Sequence, residues 1–195
     1  MTTPLWWFVA RSSGMVAWVM LTTSVIWGVV LSTKAFPSAR RPAWLLDLHR
    51  WLGGLTIAFV VLHIGALIAD SYTHFTLADV AVPFASSWKP GAVALGVIAA
   101  WLLVAVQATS LAMRRLPRRV WRWVHLTSYA TFWLTSVHAA FAGTDRESPM
   151  YLVTAVCTIV AVAWSAMYRL TNRKARRPSP ARSGASTLGR STPVH

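Results

Sequence analysis

The chain has 195 residues, of which 55% are hydrophobic, 12 are tryptophan and only five are acidic. A soluble domain of this size cannot hide so much apolar surface, so the composition predicts a single integral membrane domain. The formal net charge of +14 would suit a nucleic-acid-binding protein. The basic residues fall almost entirely in alternate loops, however, so we predict no nucleic-acid partner.

Five apolar segments of about 20 residues each match the hydrocarbon core of a bilayer, which is about 30 Å thick. The sequence therefore predicts an all-α integral membrane bundle of about five transmembrane helices, at 14–32, 46–69, 91–113, 120–141 and 151–168. The start of the chain, MTTPLWWFVAR, has no positive region before its apolar residues, so we expect the first segment to be a retained helix rather than a cleaved signal peptide. Cys157 lies within an apolar run, and we interpret it as a small buried residue.

The basic residues predict the orientation of the bundle. Sixteen of the 19 fall at the first connection, at the third connection and in the tail, whereas only Arg11, Lys89 and Arg146 lie on the opposite side. The positive-inside rule then predicts an external N-terminus and a cytoplasmic C-terminus in the cell membrane. We expect residues 1–170 to form the membrane domain. Residues 171–195 are predicted to form a disordered basic cytoplasmic tail that is attracted to anionic lipid.

Four histidines occur in two matched pairs within the apolar segments. His49 and His63 are 14 residues apart, and His125 and His138 are 13 residues apart. These spacings correspond to helical rises of about 21 Å and 20 Å. One full helical return separates the second and fourth segments, so both run from the cytoplasm to the outside. We therefore expect His49 to lie level with His125 near the cytoplasmic face, and His63 level with His138 near the outer face.

The angle about the helix axis between the two histidines is consistent with a shared face in one helix but not in the other. Fourteen residues fall about 40° short of four full turns, so His49 and His63 share a face. Thirteen residues fall about 140° short, so a straight helix would point His125 and His138 in different directions. The sequence gives no complete account of this offset, which a helix tilt, a local irregularity or different rotations of two bound haems could absorb.

The histidine pattern indicates two haem sites. An imidazole in hydrocarbon is costly unless it has a partner, and intramembrane ionisable groups are functional candidates. Haem iron accepts imidazole as an axial ligand, and two imidazoles per iron leave no coordination position open, which suits electron transfer. We predict that His49 and His125 bind one iron, and that His63 and His138 bind the other.

Several neighbouring residues have two interpretations each. Arg50 and Arg122 flank the inner histidines and could pair with haem propionates, although topology alone also places arginines there. Phe132 and Trp133 lie midway between His125 and His138, where they could ease electron passage or simply pack or face lipid. Small residues in the second segment either let a flat macrocycle approach the backbone or permit helix packing; they are Gly53, Gly54 and Gly65.

The external stretch 71–90 is only moderately polar. It either rests on the membrane surface as a short amphipathic helix or caps the outer haem site, and the sequence favours neither interpretation. His74 in this stretch and His195 at the end of the chain are expected to be solvent-exposed.

The pattern His-x13-His on one helix and His-x12-His two helices later resembles the ferric reductase-like transmembrane domain family. That family includes NADPH oxidases, eukaryotic ferric reductases and the haem subunit of a bacterial methionine-sulfoxide reductase system. The resemblance covers residues 10–170 and implies two b-type haems held by four axial ligands, namely His49, His63, His125 and His138. Many members have six helices. Others carry a flavin and nicotinamide domain, whereas about 25 residues follow the last predicted helix here, without a Rossmann glycine fingerprint.

The sequence therefore predicts a di-haem electron-transfer protein without an FAD or NADPH site of its own. A cytoplasmic flavin reductase or membrane quinol would donate electrons, and ferric iron, oxygen or an extracytoplasmic redox protein would accept them. This makes the chain an oxidoreductase component that needs a partner. Two alternatives are a non-catalytic haem-containing anchor of a redox complex and a histidine-based proton or metal transporter. The scarcity of intramembrane carboxylates weighs against the transporter.

Overall fold

The computed structural model describes residues 5–33, 42–71, 74–143 and 147–174. Within these ranges the chain contains helices and no strands, which confirms the predicted all-α fold. The basic residues Lys34, Arg40 and Arg41 and the predicted tail beyond residue 174 lie outside the described residues. The helices are α1 Leu5–Ser32, α2 Trp44–Ala69, α3 Leu77–Ala81, α4 Pro90–Leu111, α5 Arg118–Leu126, α6 Ser128–Ala142 and α7 Pro149–Lys174.

Four of these helices are long and apolar enough to cross a membrane: α1, α2, α4 and the Pro149–Thr171 part of α7. The remaining predicted span, 120–141, consists of two consecutive helices. α5 has 9 residues and α6 has 15, so each is shorter than the roughly 20 residues that a span requires, and only together do they reach that length. The chain is a multi-pass integral membrane protein.

The junction between α5 and α6 lies at Thr127. Its backbone N–H donates to the carbonyl of Val124 at 3.0 Å, three residues back, and its hydroxyl donates to the same carbonyl at 2.7 Å. A hydroxyl that bonds to the local backbone competes with the regular helical ladder, and an i→i−3 bond tightens the turn. This break interrupts the regular helix between His125 and His138, and it is a local irregularity of the kind that could absorb the offset of the 13-residue spacing.

The first helix is longer than the apolar run suggested. It begins at Leu5, nine residues before the predicted start at Gly14. The polar residues Arg11, Ser12 and Ser13 interrupt the apolar run, but both serine hydroxyls donate to carbonyls one turn back, so they are tolerated inside the helix. The additional turns matter because they carry groups that contact His63.

The bundle consists of two antiparallel helix pairs. α1 packs along α2, α4 packs along α6, and α7 rests on α1. Trp18 of α1 and Ser136 of α6 join the two pairs, because the indole N–H donates to the serine hydroxyl at 3.0 Å in the buried core. Phe132 is fully buried in this core, whereas Trp133 is 45% exposed on the outer surface of the bundle. Packing therefore accounts for Phe132, and Trp133 faces outward.

α7 presents most of its apolar surface outward. Cys157 is exposed on this helix, so the prediction of a buried cysteine is wrong. A run of apolar residues could not distinguish the face of α7 that packs on α1 from the face that meets lipid, because both faces are apolar in a membrane helix.

Candidate histidine sites

The structure brings the four sequence-predicted histidines together in two pairs at opposite ends of the bundle. His49 of α2 and His125 of α5 have ring centroids 5.9 Å apart, with their planes inclined at 72°. His63 of α2 and His138 of α6 line one shared cavity of about 550 Å³. We name these the inner pair and the outer pair. The names follow the predicted topology.

The outer pair is anchored to main-chain carbonyls. His63 Nδ1 lies 2.6 Å from the carbonyl oxygen of Ala10 on α1, and His138 Nδ1 lies 2.7 Å from that of Ala92 on α4. A carbonyl can only accept, so each Nδ1 carries the proton and donates. The Nε2 atom of each ring is then unprotonated, and its lone pair is available to a metal.

The inner pair is anchored more loosely, to hydroxyl groups. Ser24 Oγ lies 3.4 Å from His49 Nδ1, and Ser110 Oγ lies 3.4 Å from His125 Nδ1. The serines lie on α1 and α4, the same helices that anchor the outer pair. α1 thus carries the anchors of both histidines of α2, and α4 carries the anchors of His125 on α5 and His138 on α6.

Three glycines that the sequence did not single out make room for the rings. A Cβ at Gly28 would lie 3.3 Å from His49 Cε1, one at Gly14 would lie 3.0 Å from His63 Nδ1, and one at Gly96 would lie 2.7 Å from His138 Nδ1. The glycines of the second predicted segment behave differently. Gly53 faces the side chain of Gln107, which indicates packing of α2 on α4, and no described atom lies within 4 Å of a Cβ at Gly54 or Gly65.

Arg50 and Arg122, the arginines predicted near the inner pair, are both exposed. Arg50 forms an exposed ion pair with Asp47, at 3.1 Å, and Arg122 is exposed beside a second cavity. Arg169 of α7 donates to the hydroxyl of Tyr129 at 3.0 Å and acts electrostatically on His125. The sequence did not single out Arg169, although its position at the end of the last span places it at the same end of the bundle as the inner histidines.

Residues 74–90 cover the outer end of the bundle. Phe75 is buried against Val93 and Val97 of α4, and Phe75, like Trp88, lines the cavity of the outer pair. Lys89 donates to the carbonyl of Phe141 at 2.9 Å, which fastens the stretch to the end of α6. This part of the chain therefore caps the cavity, while exposed side chains in the same stretch remain free to contact the membrane surface; they are Leu77, Val82 and Phe84.

Within this cap, α3 begins with a reciprocal capping arrangement. The Thr76 hydroxyl accepts from the backbone N–H of Asp79, and the Asp79 carboxylate accepts from the backbone N–H of Thr76 at 2.8 Å. The Thr76 hydroxyl also donates to the carboxylate, at 2.7 Å. These hydrogen bonds lower the pKa of the Asp79 carboxyl below its ordinary value. His74, just before this helix, is exposed as expected.

A family model for the ferric reductase like transmembrane component matches residues 13–136. The chain belongs to this ferric reductase-like family. The matched range contains His49, His63 and His125 and ends two residues before His138. No curated protein and no solved structure matches the chain. Membrane domains of the ferric reductase-like family are generally haem-binding, and membership supports a membrane electron-transfer component.

The donor set of this family member fits haem better than a bare metal ion. The described part of the chain has no group of three or more His, Cys, Asp or Glu side chains that could hold an ion, and a bare Zn²⁺ needs about four ligands. Haem iron needs only two axial ligands, because the macrocycle occupies its other positions. The residues that would hold such a group are His49 and His125, with ring centroids 5.9 Å apart, and His63 and His138, which line one cavity.

Proposed function

We propose that this protein is a di-haem b electron-transfer component of the cell membrane. The inner pair, His49 and His125, holds one haem, and the outer pair, His63 and His138, holds the other. Haem iron, when bound, supplies a one-electron change between the ferric and ferrous states. One observation carries the proposal: four imidazoles, fixed through Nδ1 by neighbouring helices, meet in two pairs at two levels of one bundle.

The residues of the protein position the imidazoles at these two levels and keep them uncharged in largely apolar surroundings. At the outer pair the carbonyl anchors accept from Nδ1, so the Nε2 atoms of neutral His63 and His138 are unprotonated and would not have to lose a proton before they bind iron. The outer cavity is lined mainly by apolar side chains, with Phe75 and Trp88 of the cap among them. Arg122 and Arg169 offer positive charge to haem carboxylates at the inner end, whereas Arg50 is directed to Asp47 and solvent.

The inner end faces the cytoplasm in this proposal. Basic side chains crowd the connection between α4 and α5 at that end, and the positive-inside rule places such connections in the cytoplasm; they are Arg114, Arg115, Arg118, Arg119 and Arg122. The N-terminus is then external and the C-terminus cytoplasmic. Electrons come from a cytoplasmic flavin reductase or membrane quinol and leave to ferric iron, oxygen or an extracytoplasmic redox protein.

The decisive experiment counts haem in the purified full-length protein. A reduced-minus-oxidised absorption spectrum together with a pyridine haemochrome assay is expected to give about two b-type haems per chain. Reduction by a flavin reductase with NADPH, followed by reoxidation with a ferric chelate, is expected if the protein transfers electrons by itself. A colourless protein overturns the proposal, and a haem protein that is active only with a co-purified subunit supports the anchor alternative.

A further inference from the structure

The outer histidines are held by a repeated arrangement in which a carbonyl and a glycine lie four residues apart. Ala10 and Gly14 on α1 receive His63, and Ala92 and Gly96 on α4 receive His138. In an α-helix the carbonyl of residue i already accepts from the N–H of residue i+4, and the side chain of i+4 leans back over that turn. A glycine at i+4 leaves the second lone pair of the carbonyl uncovered.

We infer that Gly14 and Gly96 are positioning residues that set the hydrogen bonds, and thereby the reduction potential, of the outer haem site. The inference rests on the haem ligation proposed above. An axial imidazole that donates from Nδ1 to a carbonyl is more basic, and a more basic ligand favours the ferric state. By admitting each ring to within 2.6–2.7 Å of a main-chain oxygen, the two glycines lower the potential of the outer haem.

The inner site provides an internal contrast. Gly28 lies four residues after Ser24, and His49 contacts the Ser24 hydroxyl at 3.4 Å and also interacts with the Ser24 backbone. The position four residues after Ser110 is Arg114, beyond the end of α4, so no glycine takes that place beside His125. An imidazole–carbonyl hydrogen bond of 2.6–2.7 Å is found at the outer site within the described residues, and substitutions at Gly14 and Gly96 are expected to act there.

The test uses four single variants of the full-length protein: G14A, G96A, and the controls G54A and G65A. A Cβ at Gly96 would lie 2.7 Å from two ring atoms of His138, so this ring must shift away from Ala92. Alanine favours helix over glycine, so a loss cannot be attributed to weaker helix formation. We expect G96A to raise the midpoint potential of one of the two haems, or to lose that haem. G14A, with a 3.0 Å contact, should produce a smaller rise.

Haem stoichiometry, spectroelectrochemical titration and the low-spin ferric EPR signals provide the readouts. Both controls should retain two haems with wild-type potentials and EPR signals. If the wild-type protein binds no haem, the proposed function fails. If it binds two haems and G96A leaves both potentials and EPR signals unchanged, the inference fails while the function stands. If G96A does not fold, the milder G14A decides, and an unchanged potential in that variant overturns the inference.

Discussion

His49 and His125 face each other at the inner end of the bundle with their ring centroids 5.9 Å apart, although neither helix that carries them packs extensively on the other. A neighbouring helix contacts each of the two rings. α1 contacts His49 through Ser24, and α4 contacts His125 through Ser110. Because the two histidines belong to different helix pairs, the loss of a single histidine is informative.

Substitution of one histidine is expected to remove one haem and spare the other. H63A and H138A should each reduce the haem content from about two to about one per chain and leave the same residual spectrum, because both remove a ligand of the outer site. H49A and H125A should share the complementary residual spectrum. Absorption spectra of the four variants at known protein concentration check this. H74A, at an exposed position of the cap, serves as the control, and two haems retained in H63A would contradict the assignment.

The depth of each histidine along the bundle could be predicted from the sequence, but the groups that hydrogen-bond to its Nδ1 atom could not. Spacings of 14 and 13 residues fix depth because helical rise is constant. The acceptors of His63 and His138 are main-chain carbonyls, which every residue possesses, so Ala10 and Ala92 carry no signature. Ala10 was also hidden by the polar residues near it, which made α1 look shorter than it is. The depth of a site can therefore be read from spacing, whereas its hydrogen bonds depend on packing between helices.

The break at Thr127 was likewise invisible in the sequence, because threonine is not a helix breaker and no proline or glycine adjoins it. We expect T127A to lower haem occupancy, since removal of the hydroxyl bond to Val124 favours a continuous helix that turns His125 away from His49. T127S keeps the hydroxyl and should retain two haems. Haem content per chain after purification in detergent is the measurement, and equal occupancy in T127A and T127S would show that the hydroxyl does not hold the break.

The buried link between the two helix pairs predicts a stability effect independent of haem. Trp18 is 1% exposed and its indole N–H donates to Ser136. In S136A this N–H is left without its acceptor in the core, which costs about 1–3 kcal/mol. Thermal unfolding in detergent should show a lower midpoint for S136A than for S12A, whose hydroxyl is exposed. Equal midpoints would mean that Trp18 finds another acceptor.

The cap over the outer cavity is expected to depend on pH through Asp79. Hydrogen bonds from Thr76 lower the pKa of this carboxyl in the folded protein. The ionised carboxylate therefore stabilises the cap above the ordinary carboxyl pKa of about 3.9, and this stabilisation is lost as the pH falls through the lowered pKa of the folded protein. Amide hydrogen exchange of residues 74–89, expressed as protection factors, should be slow at pH 5 and faster below pH 3. D79N should exchange readily at pH 5, whereas D47N at the opposite end of the bundle should resemble the wild type.

Arg169 is expected to influence the potential of the inner haem through its charge. A fixed positive charge near the iron favours the ferrous state, which carries one positive charge fewer, so R169Q should lower the midpoint potential of the inner haem and leave the outer one unchanged. Y129F removes the hydrogen bond to Arg169 but retains the cation, so it should cause a smaller shift. R115A, which removes an exposed charge from the same end of the bundle, controls for net charge. Equal shifts of the inner midpoint potential in R169Q and R115A would attribute the effect to the overall charge of that surface. A shift confined to R169Q would attribute it to the Arg169 cation itself.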